Sequence, residues 1–446
     1  MISFSSVTFL FRFLPVFLII FYLTPAKYRS GVLFLGSMVF YALGEPVLLF
    51  VPLLLAMTVV NWLIGRKVPG RGRVLALGVL LDVGLLAAAK VLAVTAQGFA
   101  LPIGISFYLF KMISYQADRY KGKIKDNPGF FTTAAYFTMF PQIAQGPIMR
   151  FEEGFGEEAG FKPSAQSLED GLTALVMGLG MKLLVADRIG ILWNEIGKIG
   201  YADISTQLAW MGAFAYSFQL YFDFWGYSLM AGGIGMMLGL PFIRNFDHPY
   251  AARGIADFYR RWHMTLGTFF RDYVYIPFGG SREGTVRTIR NLLDVWVLTG
   301  LWHGGSLNFV LWGLILFAVI VWEKFAVRGL LEKVPLIAHL HVILLIPLTW
   351  MVFAISDLQQ LAVYFGRLFP IGGSFAGANA TDFAKYAGQY WPMFIASVIL
   401  CIPKVYQFVV DHRRKWYMVL LLLVLFWVCV YTSVNSAANP FMYLTF

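Results

Sequence analysis

Long apolar runs recur along the chain, divided by short stretches of Gly, Pro, Lys and Arg. They cover residues 8–24, 31–43, 47–64, 74–96, 130–145, 171–192, 207–240, 292–301, 309–325, 338–355, 391–410 and 416–434. Roughly 20 apolar residues in helical form span the ~30 Å hydrocarbon layer of a bilayer. A chain with this many such runs cannot hide them all in one water-soluble core. Composition agrees, with 59% apolar and only 13% charged residues in 446. Soluble domains carry roughly 25% charged residues. Disordered, collagen-like and disulfide-stapled classes are excluded on the same grounds. The sequence therefore predicts an all-α, polytopic integral membrane protein. About 10–12 transmembrane helices are expected at this length, with additional re-entrant or interfacial helices, in a single domain over residues 1–446.

The formal net charge of +11 fits short basic loops on one side of a membrane rather than nucleic-acid binding. Lys27 and Arg29 follow the first run, and Arg66, Lys67, Arg71 and Arg73 follow the third. Only Glu45 lies in the turn between them. His412, Arg413, Arg414 and Lys415 precede the last run. The positive-inside rule places these clusters in the cytoplasm and both termini outside, with an even number of crossings. No basic n-region or cleavage site marks the first run as a signal peptide, so it reads as a retained span. The run at 207–240 is long enough to be two pieces. Cys401 and Cys429 sit in apolar surroundings without a Cys-x-x-Cys, so neither a disulfide nor a zinc site is expected.

Three segments are too polar for simple lipid-facing spans: 101–122, 246–280 and 287–306. Ionisable groups at membrane depth are costly unless paired or hydrated, which makes them functional candidates. On a helical wheel over 255–273, Asp257, Arg260, Arg261, Thr265, Thr268, Arg271 and Asp272 fall on one arc, and large apolar residues fill the other. This predicts one amphipathic helix in the interface or along a hydrated cavity, with Asp257 and Arg261 paired at i, i+4. His263 sits at the arc's edge, facing either a cavity or neighbouring helices.

A second constellation is Thr299-Gly300-Leu301-Trp302-His303-Gly304-Gly305-Ser306-Leu307-Asn308. Two glycines break the helix just after an imidazole, and Ser306 suits an N-cap for the next helix. Thr299, one turn before His303, is placed to orient its ring. Irregular backbone at membrane depth is tolerated only inside protein or along a cavity. His303 is then either a hydrogen-bonded structural residue or a general base, since a neutral imidazole can take a proton from a hydroxyl. His248 reads as a turn residue, and His412 as solvated. His339 and His341, two apart, face different sides of a helix. Ser106, Tyr108, Lys111, Tyr115, Gln116 and Asp118, and separately Lys182, Asp187 and Arg188, read as buried partners or cavity linings. No metalloprotease, nucleotide-binding or serine-nucleophile motif occurs.

Taken in order, several motifs are together specific. They are Pro102-Ile103-Gly104-Ile105-Ser106-Phe107-Tyr108, Ser114-Tyr115, Arg261-Trp262-His263, Phe270-Arg271-Asp272-Tyr273-Val274-Tyr275-Ile276-Pro277-Phe278-Gly279-Gly280 and Gly300-Leu301-Trp302-His303-Gly304. With these the chain resembles the membrane-bound O-acyltransferase family, in the bacterial branch of alginate and other polysaccharide O-acetylation membrane subunits. Phe140-Pro141-Gln142, Gly146-Pro147-Ile148, Ala186-Asp187-Arg188, Tyr221-Phe222-Asp223-Phe224 and Asn439-Pro440-Phe441 extend the likeness, which is strongest over about 100–325. It departs from the family at Leu314-Ile315-Leu316-Phe317, where a further histidine is common, at Trp225 to Leu229, and at the ending Tyr443 to Phe446.

The resemblance implies tilted helices around a funnel or tunnel in the bacterial cell membrane. It implies an acyl group, usually acetyl, passed from a cytoplasmic thioester such as acetyl-CoA toward an extracytoplasmic polysaccharide. It also implies a separate extracytoplasmic acyltransferase partner, of the SGNH-hydrolase type, and no metal. On this reading His303 and His263 are catalytic. Arg260, Arg261, Thr299, Trp302, Asn308, Arg271 and Asp272 line the tunnel or contact substrate. D-alanyl transfer to teichoic acid would use the same kind of machine. A secondary transporter also has polar residues in broken spans, but no symmetry between the halves supports one.

Overall fold

The structure is a computed structural model and describes residues 3–96, 98–156, 160–370, 381–435 and 442. The Asn439-Pro440-Phe441 motif and the ending Tyr443 to Phe446 lie outside the described residues. Those described form helices and connecting turns, with no strand among them. Among the described residues, five helices are long and apolar enough to cross a membrane: Phe50–Lys67, Gly72–Thr95, the stretch from Leu307 to Lys333, Pro335–Ala354 and Trp416–Asn435. Asp382–Cys401 and Pro403–His412 make a sixth only as a pair bent by 73°. Pro403 opens the second of the two, where a missing N–H breaks no helical bond.

The run at 207–240 is a single 32-residue helix, Thr206–Met237, rather than two pieces. It is buried along most of its length and takes part in both large apolar clusters of the molecule. Helix Ala165–Gly180 packs against it through small residues. A Cβ on Gly178 would collide with the Gly226 carbonyl, and one on Gly226 with the Gly178 carbonyl. Close backbone contact of this kind is how helices associate where lipid is as apolar as their side chains. The run at 130–145 is broken the other way, into Phe130–Thr138 and the one-turn Phe140–Ile143.

One large cluster gathers the N-terminal helices and the other the C-terminal ones. A small third cluster lies where Phe107 and Phe110 of Ile105–Tyr120 meet Leu266, Phe269 and Phe270 of Met264–Phe270, and Trp302. Residue 303 follows directly, at the end of helix Thr285–His303. That helix and Leu307–Trp322 form a tight hairpin, because a Cβ on Gly300 would collide with the Phe309 carbonyl and one on Gly313 with the Trp296 carbonyl.

Candidate functional site

The amphipathic helix expected over 255–273 is not continuous. Helix Ile255–Arg261 stops at Trp262, which is extended, and His263 takes left-handed backbone (φ 45°) before Met264–Phe270 begins. The Asp257–Arg261 pair forms as expected, at 3.2 Å. The wheel fails beyond it because the break resets the helical phase. Long-range bonds hold the break in place. The Met264 N–H donates to the Asn245 carbonyl, and the Asp247 N–H to the Arg261 carbonyl, both at 2.9 Å. Glu323 fixes the other end, accepting from the N–H groups of Ile255 (2.5 Å) and Ala256 (3.0 Å). A non-glycine residue in this conformation costs of order 1–3 kcal/mol and persists only where its surroundings over-determine it.

His263 is buried, and its Nδ1 lies 3.1 Å from Asn245 Oδ1. That same oxygen accepts from the Thr265 backbone N–H (3.3 Å) and hydroxyl (2.9 Å), which settles that it is the oxygen end of the amide. Nδ1 must therefore carry the proton, and in the neutral ring Nε2 carries a lone pair. Nε2 is buried and has no hydrogen-bond partner. Asn245 is held in turn by donating to the Ser228 hydroxyl at 3.0 Å.

His303 is also buried, within a cage of rings. The centroids of Trp302, Phe353 and Trp312 lie 4.6, 4.8 and 5.2 Å from its own, all edge to face. The helix break after it is where the sequence places it. Thr299, expected to orient the ring, bonds elsewhere, as does Ser306. The Thr299 hydroxyl donates to the Val295 carbonyl at 2.7 Å, and the Ser306 hydroxyl to Asn308 Oδ1 at 2.6 Å. Asn308 Nδ2 donates to the carbonyls of Val352 (3.2 Å) and Phe353 (2.9 Å), tying the hairpin to the end of Pro335–Ala354.

Two cavities meet at His303. One, of about 100 Å³, is lined by both His263 and His303 together with Tyr259, Trp262, Trp296, Thr299 and Trp312. The other, of about 80 Å³, is lined by His303, Trp302, Lys90, Ala144 and residues 101–107. His303 is the residue the two linings share. The 101–107 loop is pinned by the Glu45 carboxylate, which accepts from the Ile103 N–H at 2.8 Å. The turn into Ile105–Tyr120 needs Gly104, whose φ is 67° and whose Cβ would strike the Ile143 carbonyl. On its far side Asn245 borders a third cavity of about 310 Å³, with Trp225, Arg244, His248, Lys404 and Tyr406.

The other sequence candidates lie elsewhere. Asn308 lines none of these three cavities. Arg260 is exposed, pairs with Asp257 at 3.3 Å and borders a wider cavity of about 620 Å³. Arg261 shares the same carboxylate. Partial burial acts to raise that carboxyl, but hydrogen bonds from the Arg253 N–H and Arg261, with both arginine charges, hold it below its ordinary range. Arg271 and Asp272 pair at 2.8 Å, and Asp272 also faces Arg150 at 3.6 Å. The Tyr273 hydroxyl donates to Asp118 at 2.7 Å, which joins residues 271–275 to the end of Ile105–Tyr120.

The sequence reading missed Asn245, Glu323, Glu45 and Lys90. For the last three the signal was available, as ionisable residues in or beside apolar runs. Asn245 carried none. His339 and His341 take separate partners, the Ala252 carbonyl and Glu323. Among the described residues no group of three or more His, Cys, Asp or Glu is placed to hold a metal ion.

Residues 115–356 match the family model for the membrane-bound O-acyltransferases. A probable alginate O-acetylase of Pseudomonas fluorescens is 36% identical, over 83% of this chain and 76% of its own length. That of Azotobacter vinelandii is 33% identical, over 91% and 85%.

The chain belongs to the membrane-bound O-acyltransferase family.

A peptidoglycan O-acetyltransferase of Helicobacter pylori is 31% identical, over 70% of this chain and 68% of its own. The protein is thus a multi-pass membrane acyltransferase, and transport as its main activity is set aside. Both histidines fall within the matched residues, and so do Asn245 and Glu323. Lys90 and Glu45 fall before them.

Proposed function

We propose that this acyltransferase carries an acetyl group from a cytoplasmic thioester to an extracytoplasmic polysaccharide, with His303 as the general base. The observation that carries the reading is the position of His303 as the wall common to two cavities. A group there can meet a donor from one side and an acceptor from the other. A charged thioester donor cannot cross lipid, whereas a small acyl group can be handed past a single residue.

The two sides can be told apart. Arg29 donates to the Phe161 carbonyl (3.3 Å), and Arg413 pairs with Asp170 (2.6 Å). Two separate basic clusters therefore meet one loop region, which supports a cytoplasmic face there. Helix Arg29–Gly44 runs from that face to Glu45, which holds the loop of the smaller cavity. We take the smaller cavity as the acceptor side and the cavity shared with His263 as the donor side. Arg244 and Lys404 of the 310 Å³ cavity suit the phosphates of a coenzyme thioester such as acetyl-CoA.

In the reaction, an imidazole nitrogen of His303 takes the proton of the attacking hydroxyl as its oxygen bonds to the thioester carbonyl carbon. When the tetrahedral intermediate collapses, the carbon–sulfur bond breaks and the leaving thiolate takes that proton. His263, with its lone pair turned from Asn245, accepts a hydrogen bond from the donor's amide or thiol. The attacking hydroxyl belongs to the polysaccharide or to a side chain of an extracytoplasmic partner acyltransferase. Both termini lie outside the cytoplasm in this orientation, and the membrane is the bacterial cell membrane.

The test is an ester assay of surface polysaccharide from cells carrying wild type or His303→Ala at matched membrane abundance. Acetyl ester should vanish with His303→Ala. Unchanged ester would refute the assignment of His303. Released D-alanine in place of acetate would replace the cargo while keeping the machine.

A further inference from the structure

Lys90 lies on Gly72–Thr95, one of the helices apolar enough to cross a membrane, and its side chain lines the smaller cavity beside His303. Its ammonium is within electrostatic reach of the His303 ring. Among the described residues it makes no hydrogen bond and no ion pair. A cation at that depth without a carboxylate is expensive, and such residues commonly await a charge that comes with the reaction.

The rest of the cavity points the same way. No residue in its lining is a carboxylate. The buried Trp302 contributes an indole N–H that has no acceptor. The first turn of Ile105–Tyr120 opens onto the cavity through Gly104, Ile105 and Ser106. The Ile105 and Phe107 N–H groups donate to the carbonyls of Pro102 and Gly104, which leaves the Ser106 N–H, in a first helical turn, as the backbone donor there. The cavity thus offers donors and positive charge next to a base, with no carboxylate in its own lining; Glu45 lies behind the loop and is bound to the Ile103 N–H.

Acyl transfer from a thioester supplies the missing charge. As the hydroxyl oxygen bonds to the carbonyl carbon and its proton passes to His303, the π pair of the C=O moves onto the carbonyl oxygen. That oxygen carries a full negative charge until the carbon–sulfur bond breaks and the pair returns. We propose that Lys90 binds this oxyanion, with the Trp302 N–H as a second donor, and is therefore a catalytic residue of the reaction. The proposal rests on the acyl-transfer reading above and on His303 as its base. It needs no particular acceptor, because the oxyanion forms whichever hydroxyl attacks.

A lysine near the end of a span also reaches the headgroup layer when it serves no substrate, and kinetics separate the two cases. Membranes containing the full chain together with the cells' own surface polysaccharide are given acetyl-CoA over a range of concentrations, and thiol release is followed for wild type, Lys90→Met, Lys90→Arg and His303→Ala. Methionine in an apolar span does not threaten folding. Loss of one oxyanion donor typically lowers kcat by about 10²–10³-fold, so Lys90→Met should fall by that factor with its KM for acetyl-CoA little changed. Lys90→Arg, which keeps the charge, should recover most of the loss. Wild-type turnover in Lys90→Met would overturn the proposal and leave Lys90 as a headgroup contact. So would a loss confined to KM, or an arginine variant no better than methionine. If wild type releases no more thiol than His303→Ala, the acyl-transfer reading itself falls, and the Lys90 proposal with it.

Discussion

His303 and His263 border the same cavity, yet they are held there by different means. His263 sits in strained left-handed backbone, with Nδ1 fixed by Asn245 and Nε2 left without a partner. A hydrogen bond decides both its direction and its tautomer. His303 ends a regular helix inside a ring cage, and the hydroxyls nearest in sequence are spent on other oxygens. Rings crowd it on three sides, at centroid distances of 4.6, 4.8 and 5.2 Å. A residue steered by packing can face two cavities and exchange a proton on either side. One steered through a single hydrogen bond is suited to one fixed contact. The contrast is the ground on which His303 is proposed as the base and His263 as the anchor.

Five substitutions test the contrast. His303→Ala should cause the largest loss, about 10³-fold in acyl transfer at unchanged abundance, since general bases contribute typically 10²–10⁴-fold. An equal loss in His263→Ala and no further loss in the double variant would show that the two rings act as a unit. Asn245→Ala should lower turnover by about fivefold, because losing one buried hydrogen bond costs about 1 kcal/mol. Wild-type kinetics in that variant would mean that the backbone alone aims His263. Asn308→Ala should leave activity per folded molecule intact and lower thermal stability, by roughly 1–3 kcal/mol, as two helix-end carbonyls lose their donor. A lost kcat without a stability change would move Asn308 into the site. Arg260→Ala should do least, since exposed ion pairs contribute about 0–1 kcal/mol. A raised KM for the thioester there would restore the donor contact its place in the sequence suggests.

Much of the molecule was legible before its structure. The apolar runs, the hairpin around residues 304–306 and the helix end at His303 are local matters, because hydrocarbon thickness and backbone hydrogen bonding act on each segment by itself. Single runs could still mislead. Residues 207–240 hold one helix because burial in protein, along most of Thr206–Met237, removes the limit that bilayer thickness sets on a span.

The site was only half legible. The wheel over 255–273 assumed a helix that the chain does not keep. The interruption at His263 depends on Asn245, 18 residues away, and on Glu323, 68 residues from Ile255. Arg260, Arg271 and Asp272 were candidates for their charge, and each found a neighbouring counter-charge instead. Lys90 drew no notice within its run, and it lines the same cavity as His303. The sequence alone settled that the chain lives in a membrane, that it is helical, and that His303 stands at a helix break. Packing between distant helices settled which side chains share a cavity, since a helix's rotation and its neighbours depend on contacts that no short stretch of sequence contains.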